Sequence, residues 1–99
     1  MTAARQKERE RAAVLVDLFL EQGWSVPDGV EHLYGLNVWF IAYKNPNPRE
    51  RNRYAAEIIV QDDGGIHVTG FFSLGFGSEA AQLEAEKVLR AAGLGEWIR

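Results

Sequence analysis

The tetrapeptide Asp62-Asp63-Gly64-Gly65 stands between two runs of apolar and β-branched residues, 54–61 and 66–73. A turn sequence in that setting marks a β-hairpin, and the turn geometry decides which residues face one another. With a three-residue loop, Asp62-Asp63-Gly64, Gly64 takes the left-handed position of a type I turn followed by a bulge. Val60 then faces Ile66, Ile58 faces Val68, Ala56 faces Gly70 and Tyr54 faces Phe72. That face is apolar apart from the tyrosine hydroxyl. A two-residue Asp-Gly turn pairs Val60 with His67 and Ile58 with Thr69 instead, and scatters the apolar set over both faces. Such a slip is strongly disfavoured when one face is buried, so the three-residue loop is expected.

The opposite face of the hairpin carries Ala55, Glu57, Ile59, His67, Thr69 and Phe71. A further strand is expected over residues 36–44, stopped by Asn45-Pro46-Asn47-Pro48, since neither proline can donate to a ladder. This strand is apolar on both sides. Leu36, Val38, Phe40 and Ala42 form one face; Asn37, Trp39, Ile41 and Tyr43 form the other. Whichever face meets the core, the second joins Ile59 and Phe71 on the outer surface of the sheet.

Helices are expected on both sides of these strands. Ala12, Leu15, Val16 and Phe19, with Leu18 and Leu20 nearby, share an apolar arc in residues 3–22, opposite Glu10, Asp17 and Glu21. Residues 1–10 are polar and read as a helical extension that frays or is solvated. Gly23 supplies the left-handed residue of a Schellman turn, and Trp24 after it can meet Phe19. Pro27-Asp28-Gly29 reads as a turn. Ser78 is the expected N-cap of a last helix, with Glu79 in its favourable first turn. That helix ends at Ala92, where Gly93-Leu94 repeats the Schellman pattern with Leu89. Trp97 and Ile98 are expected to dock. The fold class is therefore α+β, in the order α-β-β-β-α: a three-stranded antiparallel sheet, order 1-2-3, with two helices packed on one face. Ninety-nine residues fit a single domain, 1–99.

Composition limits the function classes. The chain has no cysteine, which removes disulfides, thiolate metal sites and cysteine nucleophiles. No run of about 18 apolar residues exists to span a membrane, and the charged start is unlike a signal peptide. A cytoplasmic location is expected. The net charge is −3, but Lys44, Arg49, Arg51 and Arg53 against Glu50 give residues 44–53 a local +3. One basic loop on an acidic chain supports only weak, salt-sensitive binding of nucleic acid.

The residues that can carry chemistry are sparse. Asp62 and Asp63 are turn formers first. His67 lies mid-strand and His32 in a loop, which is no metal-ligand spacing. Ser73 and Ser78 lack any nucleophile-elbow context. Gly70, Gly75 and Gly77 precede a helix without the lysine of a phosphate loop. Neither catalytic residues, nor a metal, nor a cofactor is expected.

The helix–strand–strand–strand–helix order, the alternating segment 54–60 and Gly75-Phe76-Gly77-Ser78 leading into an alanine-rich helix resemble the double-stranded-RNA-binding domain. That resemblance implies contact with duplex RNA through the first helix, the loop between the first two strands, and a lysine-rich start to the last helix. Here the last helix opens Ser78-Glu79-Ala80-Ala81-Gln82, with no lysine before Lys87, and the loop shares only the family's basicity. The leading expectation is a non-enzymatic protein-interaction module, binding a protein partner or a second copy as a homodimer. Its expected site is the outer sheet face at Trp39, Ile41, Tyr43, Ile59 and Phe71. The alternative is nucleic-acid binding through Lys44, Arg49, Arg51, Arg53 and the first helix.

Overall fold

The computed structural model describes residues 3–32, 38–45, 53–72 and 77–99. Helix α1 (Ala3–Glu21) leads through a short strand β1 (Glu31–His32) into β2 (Val38–Lys44), β3 (Tyr54–Val60) and β4 (Ile66–Phe72). Helix α2 (Glu79–Ala91) and a 3₁₀ turn (Gly95–Trp97) follow. The three long strands are antiparallel neighbours in chain order, with both helices on one side of the sheet, as expected. Leu36, Asn37, Pro46, Pro48, Ser73 and Gly75, to which boundaries were assigned above, lie outside the described residues.

The hairpin has the expected register. Val60 pairs with Ile66, Ile58 with Val68, Ala56 with Gly70 and Tyr54 with Phe72. Gly64 has φ +88°, and its N–H donates to the Gln61 carbonyl. The Asp63 carboxylate accepts from the Gly65 N–H at 2.8 Å, the local bond that suits aspartate to turns.

Both helices end in the expected way. Gly23 (φ +84°) and Gly93 (φ +79°) take the left-handed position. Trp24 N–H reaches the Phe19 carbonyl at 2.9 Å, and Leu94 N–H the Leu89 carbonyl at 3.0 Å. The first turn carries a ring contact, Trp24 edge-on to Phe19 with centroids 5.2 Å apart. Phe19 in turn meets Phe40 of β2 at 5.8 Å, so the helix end is fastened to the sheet. Ser78 caps α2, its hydroxyl oxygen accepting from Ala81 N–H at 3.1 Å.

The core lies between sheet and helices. Val38, Phe40, Ala42, Ala56, Ile58, Val60, Ile66 and Val68 face inward and meet Ala12, Leu15 and Phe19 of α1 and Ala85 and Leu89 of α2. This resolves strand β2, whose two apolar sides the pattern could not rank. Its Val38, Phe40 and Ala42 side is the buried one, with Phe40 against Phe19 of α1. Ala42, Ala56 and Gly70 stand in one row across the strands, and the start of α2 rests on the Gly70 end of it.

Some expectations change. His32 belongs to β1 and pairs with Val38 rather than sitting in a loop. Leu20 is half-exposed, because the strip of α1 that meets the sheet is narrower than its apolar arc. Glu8 lies on that strip, one turn before Ala12, and is buried. No helix among the described residues is long and apolar enough to cross a membrane.

Candidate functional site

The sheet face away from the helices is laid out by strand register. Its rows are Trp39–Ile59–His67, Ile41–Glu57–Thr69 and Tyr43–Ala55–Phe71. The five residues expected to form the site therefore fall on one surface. Directly opposed side chains lie about 5 Å apart and diagonal ones about 7–8 Å, so the aromatic residues can reach across rows. Trp39, Ile41, Tyr43, Ile59 and Phe71 are each partly buried rather than fully exposed. Ala55, flanked by Tyr43 and Phe71, has no accessible surface. The Trp39 indole Nε1 is buried with no acceptor among the described residues.

Glu57 occupies the middle of this grid, with Ile41 and Thr69 at its sides and Ala55 and Ile59 along its own strand. It makes no hydrogen bond or ion pair among the described residues. Its place on the face was legible from the alternation of β3, but nothing in the pattern singled it out. It becomes the centre only once β2 is placed beside β3.

The edges of the sheet are closed at their ends. On the β2 side, Ser25 and Tyr43 exchange backbone hydrogen bonds of 2.8 Å, and Glu31 and His32 pair with Trp39 and Val38. On the β4 side, Ser78 N–H donates to the Gly70 carbonyl at 3.0 Å, and Arg99 N–H to the Ile66 carbonyl at 2.8 Å. Short covering segments of this kind prevent strand-to-strand addition. The segment after α1 runs along the edge of β2 at Ser25 and again at Glu31, and is not laid across the face at those points.

Of the four basic residues of the alternative site, the structure describes Lys44 and Arg53. Arg49 and Arg51 lie outside the described residues, and Arg53 is exposed just before β3. Lys44 turns to the helix side. Its Nζ is 4.0 Å from Glu84 Oε2 and 5.8 Å from the Trp24 ring centroid. Glu84 also accepts a 3.0 Å hydrogen bond from Lys87, and this bond, helped by the charges of Lys87 and Lys44, holds its carboxyl below the ordinary glutamate value against partial desolvation.

A polar cleft of about 230 Å³ opens where α1 meets the hairpin turn, lined by Lys7, Glu8, Arg11, Gln61, Asp62 and Asp63 among others. The chain end closes over this region. Trp97 lies 4.6 Å under the Arg11 guanidinium, and Arg99 Nη1 bonds Asp63 Oδ2 at 2.8 Å. Among the described residues the lining combines carboxylate, cationic and amide side chains with Val60 and Gly64. Among the described residues no group of His, Asp and Glu is placed to hold a metal ion. No known protein family, curated protein or solved structure matches the chain.

Proposed function

We propose that this protein is a non-enzymatic interaction module that docks a protein partner on the outer sheet face. The observation that carries the reading is the gathering of Trp39, Ile41, Tyr43, Ile59 and Phe71 on the side opposite both helices. A contiguous apolar surface on a small domain most often serves association. Closed sheet edges favour the face over strand addition as the mode of contact.

The test is a selection of peptides from a random display library on the wild-type chain, counter-selected on an Ile59→Lys, Phe71→Lys variant of unchanged circular dichroism. Ligands that bind the wild type and lose the variant are expected. Ligands indifferent to the two substitutions, or none at all, would sink the reading. Light scattering over a concentration series separates a distinct partner from a second copy of the chain.

Nucleic-acid binding is the second reading. It draws on the α-β-β-β-α order, which resembles the double-stranded-RNA-binding domain, and on the exposure of Arg53. It is weakened by the acidic start of α2 and by the engagement of Lys44 with Glu84. Gel-shift assays with duplex RNA, duplex DNA and single strands decide it, since absence of a shift even at low salt excludes a phosphate-driven complex.

A further inference from the structure

Glu57 is an odd choice for its position. Glutamate is depleted in strands, and a carboxylate half-buried among apolar neighbours loses hydration; Glu57 gains no partner among the described residues. Its cross-strand neighbours are Ile41 and Thr69, and the diagonal corners are Trp39, Tyr43, His67 and Phe71. The outer-face positions of β2, β3 and β4 include no lysine or arginine. Arg53, just ahead of β3, forms no ion pair with Glu57.

We propose that the occupant of the outer face is a protein segment that presents an arginine side chain to Glu57, flanked by apolar residues that rest on Ile41 and Ile59. The proposal rests on the docking reading above and names the chemistry of the partner. A guanidinium meets a carboxylate through two parallel hydrogen bonds. It also stacks on aromatic faces, whose negative quadrupole attracts a cation. Trp39, Tyr43 and Phe71 supply such rings within a diagonal step of Glu57. The arginine stem is apolar and covers the isoleucines. The net charge of −3 draws a basic segment at longer range.

The same charge disfavours other occupants. A symmetric face-to-face dimer brings identical patches together, and a two-fold axis near the centre sets Glu57 against its own counterpart. Like charges so placed oppose association. An acidic peptide or a phosphate backbone meets the same repulsion.

The experiment uses the whole chain, isotopically labelled, titrated in the NMR spectrometer with three capped tripeptides: Leu-Arg-Leu, Leu-Gln-Leu and Leu-Glu-Leu. Leu-Arg-Leu is expected to move the Trp39 indole signal and the amides of Ile41, Glu57 and Thr69 at millimolar concentration. Leu-Gln-Leu should bind about tenfold more weakly, the ratio one charge-assisted pair supplies, and Leu-Glu-Leu weaker still. In Glu57→Gln the preference for arginine over glutamine should disappear while the fold stays intact. Equal binding of the arginine and glutamine peptides at this face would overturn the arginine proposal and leave apolar docking standing. Shifts of the same signals on simple concentration, without peptide, would assign the face to a second copy and overturn it too. If no peptide and no dilution series moves these signals, the docking reading falls with it.

Discussion

Gly70 shows how one residue sets the distance between two layers. It faces inward on β4, beside Ala56, and its carbonyl accepts from Ser78 N–H at the start of α2. A methyl group added at Gly70 would fall well inside van der Waals contact of the Gln82 backbone nitrogen and the Ser78 carbonyl oxygen. Both are backbone atoms of α2, so no side chain can swing aside. Gly70→Ala should therefore destabilise the protein by at least the ~1–3 kcal/mol typical of an overpacked core, read as a lower urea midpoint at unchanged slope. A wild-type midpoint in that variant would mean that α2 does not rest on β4 here. In the sequence the glycine stood out as part of an apolar strand face and as one of three glycines ahead of a helix. Its purpose needs the helix that sits on it, which lies outside any local pattern.

At the scale of elements, local rules served where the chemistry is local. Gly23 and Gly93 end their helices because left-handed backbone closes the last turn, and Gly64 closes the hairpin for the same reason. Ser78 caps α2 through its own hydroxyl, and Ser78→Ala should cost about 1 kcal/mol in chemical denaturation. Strand β1 was not legible, because two residues carry no periodicity and pair only where the β2 edge happens to pass. Glu8 was not legible either, since a glutamate among lysines and arginines reads as solvated helix surface. A pH effect belongs to α2. Glu84 has a carboxyl held below its ordinary value, first by the hydrogen bond from Lys87. A depressed folded value stabilises the native state fully above the unfolded value, and that contribution is lost as pH falls through the folded one. Glu84 is about a third exposed, at 35%, so the effect should be no more than that of a surface pair, about 0.3–0.5 kcal/mol. Stability measured from neutral to acidic pH should fall slightly more for wild type than for Glu84→Gln, and less so in high salt. Parallel curves at low salt would remove Glu84 from the account.

At the scale of the whole molecule, the sheet has two unlike sides, and adjacent residues of β3 report on each. Ile58 faces the helices and has no accessible surface; Ile59 faces outward and is only partly covered. The hairpin turn already separated them, since Ile58 opposes Val68 and Ile59 opposes His67. What it could not settle was the side on which β2 adds its aromatic residues, because period-two alternation is silent when both faces are apolar. The packing settles it, since Val38, Phe40 and Ala42 are buried under the helices and Phe40 meets Phe19. This asymmetry has a measurable consequence. Ile58→Ala removes side-chain volume from a packed interior and should cost about 2–5 kcal/mol. Ile59→Ala removes the same atoms from a half-open surface and should cost well under half as much. The two variants share strand, residue type and denatured-state change, so their difference isolates the face. Ile59→Ala should weaken a face-directed ligand while leaving most of the stability. Ile58→Ala should lower stability yet leave ligand affinity unchanged in the molecules still folded. Denaturation midpoints and peptide titration on the same two proteins provide both readings. Equal losses of stability would mean that the outer side of β3 is as deeply packed as the inner, and that no open docking face exists.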